Sequence, residues 1–134
     1  MERERSALSV AYLDTHVAVW LHDGLVQKLT KAARQEIERS ALLLSPMSYL
    51  EFDYLHRWGR IRYPAAEMFA NLSTTFGVTL CEFPFPAVAG MGTTIGWTQD
   101  PFDRLIVAQA KANQNSPLIT ADEMIRENYP PAVW

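Results

Sequence analysis

Short apolar runs alternate with segments of helical character along this chain, and that alternation restricts the possible folds more than any other feature. Four runs have the length of buried strands, namely 8–13, 42–44, 78–81 and 117–120. Segments between them predict helices over 15–22, 30–39, 45–58, 64–76 and 100–115, with a last short helix beginning at Asp122. Strands that alternate with helices predict a parallel sheet covered on both faces.

Local capping signals support these boundaries. Ser45–Pro46 and Asp100–Pro101 each combine an N-cap side chain with a proline at the first helical position. Glycines follow three of the helices, at Gly24, Gly59 and Gly77. The stretch 83–97 holds two prolines and three glycines, so it predicts a loop with at most one loose helix.

Length and composition predict a single domain over 1–134 that needs no covalent cross-link. The 134 residues, 49% of them hydrophobic, suffice for one core but not for two. Cys81 is the only cysteine, which excludes an internal disulfide, and we expect it to be a buried strand residue in a reducing cytoplasm. No secretory signal or membrane span is recognisable, so a soluble protein is expected.

Net charge argues against binding to nucleic acid through bulk charge. The chain has 12 basic and 15 acidic residues, a net charge of −3. An RNA substrate would therefore have to be attracted locally, through bound cations and a few arginines. Four arginines are candidates for that contact, and each can equally be a solubilising surface charge: Arg57, Arg60, Arg62 and Arg104.

Two aspartates follow predicted strands at the sheet edge where parallel folds place their ligands. Asp14 comes directly after the first strand, and Asp122 follows the fourth by two residues. Each one alone is explained as a helix N-cap. Their common position at the carboxyl ends of strands is the reason to consider them together.

Two further acids lie on the apolar faces of predicted helices. Glu51 is four residues from both Met47 and Leu55, and Asp103 precedes Ile106 at helical spacing. A carboxylate turned toward a core is costly unless it is paired or bound to a metal. Asp103 has an alternative explanation, because the helix dipole favours an acid in the first turn.

Convergence of these four acids predicts a site for divalent cations. Like charges a few ångströms apart repel one another, and cations that prefer oxygen ligands remove the repulsion. Mg²⁺ or Mn²⁺ suits an all-carboxylate site better than zinc does. Such a site can activate water for the hydrolysis of a phosphodiester bond. The histidines show no ligand spacing to these acids and are interpreted as surface or structural residues: His16, His22 and His56.

The acid-bearing segments resemble PIN-domain ribonucleases and are most similar to the VapC toxins of bacterial type II toxin–antitoxin pairs. These segments are Leu-Asp-Thr-His at 13–16, Ser-Pro-Met-Ser-Tyr-Leu-Glu at 45–51, Asp-Pro-Phe-Asp-Arg-Leu-Ile-Val-Ala-Gln-Ala at 100–110 and Leu-Ile-Thr-Ala-Asp at 118–122. The resemblance covers nearly the whole chain. It implies a three-layer α/β/α sandwich and Mg²⁺- or Mn²⁺-dependent endonucleolytic cleavage of RNA.

Residue roles and partners also follow from the resemblance. Asp14, Glu51 and Asp103 match the main acidic positions of the family, and Asp122 matches its fourth. Hydroxyl positions that hydrogen-bond around the metal site are matched by Thr15 and Thr120. A homodimer and a VapB-type antitoxin, whose tail covers the active-site groove, are implied as partners.

Two alternative functions remain open at this stage. A metal-dependent phosphatase also has an aspartate after the first strand, but His16 stands where a second acid is usual, and no lysine follows a late strand. A non-catalytic module of the same fold would bind protein through apolar residues. Its candidate residues, for which core packing is the alternative, are Trp58, Tyr63, Phe69 and Trp97.

Overall fold

The structure is a computed structural model that describes residues 9–134. Five strands occur in that range: β1 (Val10–Leu13), β2 (Ala41–Leu44), β3 (Thr79–Leu80), β4 (Leu118–Ile119) and β5 (Ala132–Val133). The α-helices are α1 (Thr15–His22), α2 (Lys31–Arg39), α3 (Pro46–Arg57), α4 (Ala65–Phe76), α5 (Phe85–Gly92), α6 (Pro101–Ala112) and α7 (Glu123–Asn128). A short 3-10 helix covers Val26–Lys28.

All strand pairs are parallel, and the order across the sheet is β3-β2-β1-β4-β5. The chain moves outward from β1 to β3 on one side, and then returns to place β4 on the other side of β1. Ligands of such sheets bind at the carboxyl ends of the strands where the order reverses. This topology therefore directs attention to the ends of β1 and β4.

Helices cover both faces of the sheet, because successive strand residues point to opposite sides. Ala11 and Leu13 of β1 belong to a core cluster with helices α1 to α4. Tyr12 belongs to a second cluster with Ile106 of α6 and Ile125 of α7. Two cores on one sheet confirm the predicted three-layer α/β/α sandwich.

Most predicted helix boundaries are confirmed by their caps. Ser45 accepts a hydrogen bond from the backbone amide of Met47, with Pro46 at the first position of α3. Gly77 follows α4 with a φ of 70°, a left-handed conformation that glycine adopts without steric cost.

The stretch 83–97 differs from its prediction, because α5 is a regular helix within it. Pro84 and Pro86 lie at the start of α5, where a missing backbone amide costs no hydrogen bond. Gly92 is buried at its last turn, and a Cβ added there would lie 3.4 Å from Cδ2 of Leu105. The small residues that suggest a loop thus allow α5 to pack closely on α6.

The two ends of the described range also refine the prediction. β1 begins at Val10, and Leu8, the predicted start of this strand, lies outside the described residues. β5 was absent from the sequence-based prediction, because a two-residue strand carries no periodic signal. In the structure β5 pairs with β4, and the amide of Thr120 donates to the carbonyl of Val133 at 3.1 Å. No helix between residues 9 and 134 has the length and apolar character needed to cross a bilayer.

Candidate metal centre

One cavity lies at the carboxyl ends of β1 and β4, and carboxylates form most of its wall. Its volume is about 400 Å³. Its lining consists of Asp14, His16, Val17, Trp20, Glu51, Asp100, Asp103, Ala121 and Asp122. The structure thus brings all four predicted acids to one cavity and adds Asp100, for which the sequence predicts only a capping role.

Asp14 is buried at the end of β1 and is held by two hydrogen bonds. Its Oδ1 accepts from the backbone amide of Thr15 at 2.8 Å, which makes Asp14 the N-cap of α1. Its Oδ2 accepts from Oγ1 of Thr120 at 2.6 Å. Burial raises the pKa of Asp14, and the hydrogen bonds from Thr120 and Thr15 oppose that rise. Capping and lining of the cavity are therefore roles of the same carboxylate.

Glu51 reaches the cavity from the inward face of α3. Its Oε1 accepts from Oγ1 of Thr15 at 2.6 Å. The hydroxyl oxygens of Ser48 and Thr15 are 3.0 Å apart. Because Thr15 has one hydroxyl proton and donates it to Glu51, Ser48 is the donor of this second bond. Burial raises the pKa of Glu51, and the charge of Asp14 adds to the rise.

Asp103 lies in the first turn of α6, where other acids surround it. Burial is the main cause that raises the pKa of Asp103 to about 7. Further contributions come from the charges of Asp100, Asp14, Asp122 and Glu51. At neutral pH this carboxylate is therefore divided between its neutral and charged forms, and a bound cation would favour the charged one.

Asp122 is exposed and caps α7, with its Oδ1 accepting from the amide of Ile125 at 2.9 Å. Thr120 connects Asp122 to Asp14. The Oγ1 of Thr120 accepts a hydrogen bond from the backbone amide of Asp122 at 3.0 Å and donates one to Asp14. The two predicted hydroxyl residues thus hold the carboxylates from different sides: Thr15 contacts Glu51, and Thr120 contacts Asp14.

The donor set fits a hard divalent cation. Carboxylate oxygens surround an open cavity, and their mutual repulsion is relieved by positive charge. Within residues 9–134, no three His, Cys, Asp or Glu side chains are already close enough together to hold an ion. Ligation at this cavity would thus need side-chain rotation or water between some acids and the ion, and Mg²⁺ usually keeps several of its waters.

A comparison with protein families matches this chain to the model of the PIN domain over residues 11–129. That range includes all the carboxylates of the cavity. The chain belongs to the PIN domain family. PIN domains are in general nucleases that use divalent metal ions.

Solved structures with the same fold include two toxin–antitoxin complexes. VapBC2 from Rickettsia felis, bound to a DNA fragment from its promoter, has 14% sequence identity and a TM-score of 0.62. That match covers 92% of this PIN domain chain and 95% of the other. DNA-bound VapBC from Salmonella typhimurium has 13% identity and a TM-score of 0.58, with 93% and 95% covered. Such identities establish a shared fold, and no curated protein matches the sequence.

The four candidate arginines of the PIN domain do not line the carboxylate cavity. Arg57 forms an ion pair with Asp53, with Nε to Oδ2 at 2.6 Å. Arg104 donates to the carbonyl of Gly92 at 3.1 Å. Arg60 and Arg62 line a separate cavity. Any contact that these four side chains make with RNA would lie outside the carboxylate cavity and stays a prediction.

Three residues of the cavity were missed as site residues from sequence. Asp100 caps α6 through the amides of Phe102 and Asp103, yet it also lines the cavity. His16 was interpreted as a surface or structural residue, and it is exposed at the cavity, where its charge lowers the pKa of Asp14 and Glu51. Trp20 follows His16 by one helical turn on α1. The sequence did contain a signal for these two residues. His16 and Trp20 are four residues apart on the helix that begins beside Asp14, and residues at that spacing lie on one face of a helix.

Proposed function

We propose that this PIN domain is a Mg²⁺- or Mn²⁺-dependent endoribonuclease that hydrolyses RNA phosphodiester bonds. The observation that carries the proposal is the position of Asp103, a carboxylate with a pKa of about 7 among four other acids. Perturbed acids in a cleft mark candidate catalytic sites. We also propose that the chain is a single nuclease domain, because both cores share one sheet.

Asp14, Glu51, Asp103 and Asp122 are the proposed metal ligands and catalytic residues. A divalent cation held by them would activate water and stabilise charge on a phosphoryl oxygen. Thr15 orients Glu51, and Thr120 orients Asp14, so that their free oxygen lone pairs are directed to a defined place. Without a cation, the five carboxylates of the cavity would repel the phosphates of RNA.

RNA cleavage by purified protein tests this proposal. Activity is expected with Mg²⁺ or Mn²⁺ and should stop when EDTA is added. Asp14→Asn and Glu51→Gln should each abolish cleavage, whereas Asp53→Asn should not. Asp53 is a matched control, because it is an acid on α3 that pairs with Arg57 and does not line the cavity. Undiminished cleavage by either site variant would refute the assignment.

A role as the toxin of a toxin–antitoxin pair is also proposed, with a VapB-type antitoxin as partner in the cytoplasm. Support comes from the fold shared with two VapBC complexes. Expression of this chain alone should arrest bacterial growth, and expression of Asp14→Asn should not. Co-expression with an antitoxin encoded beside it should restore growth.

A homodimer is proposed as the assembly state. Three large apolar side chains on α3 and its C-cap residue are exposed at intervals of four residues: Leu50 is 45%, Tyr54 39% and Trp58 64% exposed. The rings of Tyr54 and Trp58 are 5.5 Å apart, so they form a continuous surface. Contiguous exposed apolar residues mark interaction surfaces, which makes this face of α3 the candidate contact between protomers.

A non-catalytic protein-binding module is the second candidate function, and the same exposed face of α3 favours it. Of its four candidate residues, Trp58 is exposed, while Tyr63, Phe69 and Trp97 pack against the two cores. Titration calorimetry with Mn²⁺ separates the candidates, because a binding module should give no heat that Asp14→Asn abolishes. A phosphatase has less support, since no lysine of the described range lines the carboxylate cavity.

A further inference from the structure

Trp20 is the largest apolar side chain that lines the carboxylate cavity. It is half-buried on α1 and packs against the first core cluster. Besides Trp20, the carboxylates and His16, the cavity is lined by the small side chains Val17 and Ala121. Trp20 is therefore the only aromatic ring besides that of His16 in this lining, and it offers a flat apolar surface among the acids.

One cation lies over the face of this ring. The ammonium group of Lys28 is 5.4 Å from the centroid of the Trp20 ring. The imidazole of His16 has its centroid 6.4 Å away, and the ring of Trp134 lies 6.1 Å away on an adjoining side. Lys28 does not line the cavity, but its contact with Trp20 places a cation next to one of the lining residues.

We propose that Trp20 and Lys28 form a subsite for one unpaired nucleotide of single-stranded RNA. The base stacks on the indole face over which the exposed Lys28 ammonium lies, and the ammonium moves to a neighbouring phosphate. The proposal rests on the proposed function, because a nuclease must hold a nucleotide beside the bond that it cuts. Stacking tolerates any base, since every base has a π-face. Bases within a duplex are already stacked, so the subsite favours single strands.

Binding of a fluorescently labelled oligoadenylate, followed by anisotropy with Mn²⁺, tests the stacking contact. The oligoadenylate carries phosphorothioate linkages, which slow its cleavage, so that the proteins keep all their proposed metal ligands. Trp20→Leu should weaken binding on the order of ten-fold, as the loss of one stacked base does. Trp20→Phe, which keeps an aromatic face and fills much of the core position, should bind nearly as well as the parent protein. Trp97→Leu is the control, because Trp97 packs in the second core and lines a different cavity.

Removal of single bases from the oligoadenylate distinguishes stacking from loss of packing. At one position along the strand, an abasic nucleotide should weaken binding by the parent protein but not by Trp20→Leu. A merely destabilised variant would respond to base removal as the parent does. The subsite would be overturned if Trp20→Leu lost as much affinity for the abasic RNA as for the intact RNA. It would also be overturned if Trp20→Leu and Trp97→Leu weakened binding equally.

The ammonium contact has its own pair of variants. Lys28→Gln should lower affinity at low salt and reduce the salt dependence of binding by about one released counterion. Lys31→Gln, an exposed lysine at the start of α2, should leave both unchanged. An unchanged salt slope for Lys28→Gln would contradict the proposed phosphate contact.

Failure of this subsite can be told apart from failure of the nuclease function. If the wild-type protein cleaves unmodified RNA and Trp20→Leu does so with unchanged KM, the subsite is wrong and the nuclease stands. If no protein cleaves RNA but the base-specific loss is seen, the subsite stands and the catalytic proposal fails. Absence of any oligoadenylate binding overturns the subsite directly.

Discussion

The hydroxyl of Thr15 donates to Oε1 of Glu51 at 2.6 Å, which joins the first turn of α1 to the middle of α3. The backbone amide of the same residue donates to Asp14 at 2.8 Å. One buried threonine therefore holds both Asp14, its neighbour in sequence, and Glu51, which lies 36 residues from Thr15. This contact provides the first prediction.

Thr15→Val should weaken Mn²⁺ binding and RNA cleavage by roughly 10- to 100-fold, the usual cost of losing a group that orients metal ligands. Valine has a similar shape but no hydroxyl, so Glu51 loses its donor while Asp14 keeps the backbone amide. Titration calorimetry measures the affinity. Thr93→Val, an exposed threonine on another part of the surface, is the control. Equal Mn²⁺ affinity in the wild type and Thr15→Val would show that this contact does not matter.

Metal-free protein should become less stable as pH rises from about 4 to 7. The pKa of Asp103 is raised from 3.8 to about 7, so over this interval the folded state holds a proton that the unfolded state has released. The free energy of unfolding therefore falls over this interval and stops falling above pH 7, where both states have released the proton. Below pH 4 both states hold the proton, and this group no longer makes stability depend on pH. Asp103→Asn should flatten the dependence and raise the melting temperature at pH 8 by about 3 to 6 °C, as about 1 kcal/mol does in a domain of this size.

Thermal melts from pH 4 to 8 in the presence of EDTA check this prediction. Glu38→Gln serves as a comparison, because Glu38 is an exposed acid on α2 away from the cavity. An equal slope for Asp103→Asn and the wild type would mean that the pKa of Asp103 is not raised in the folded protein.

Mg²⁺ or Mn²⁺ should raise the melting temperature at neutral pH, because only the folded state brings the carboxylates together. At an ion concentration of 100 times Kd, the expected stabilisation is about 2.7 kcal/mol. The gain should grow between pH 6 and 8, since binding competes with the proton on Asp103. Glu51→Gln should diminish it, and Asp53→Asn should keep it. A rise that is equally large in both variants would place the ion elsewhere.

Trp58→Lys should convert the proposed homodimer to a monomer, because a lysine on the exposed face of α3 cannot be buried without a partner charge. Light scattering after size-exclusion chromatography reports the mass. Phe85→Lys changes another exposed aromatic residue, 62% accessible at the start of α5, and should leave the mass unchanged. A monomeric wild type would remove the proposal.

Local patterns in the sequence determined most of the helices and strands and the position of the candidate site at the carboxyl ends of the strands. The run that ends at Leu13 predicts a buried strand, so Asp14 had to follow it at the edge of the sheet. Glu51 and Asp103 were predicted to face inward because their neighbours at helical spacing are apolar. Each of these inferences needs only residues within one or two helical turns, which is the range over which side-chain periodicity along a helix or strand can be observed.

Tertiary structure alone decided which side chains share the cavity and what charge they carry. Asp100, His16 and Trp20 join the acids because α1, α3 and α6 meet over the ends of β1 and β4. The raised pKa of Asp103 comes from burial and from carboxylates on other elements, whose electrostatic effect depends on distance in space. Distances between elements are set by packing, and no local pattern of residues specifies them.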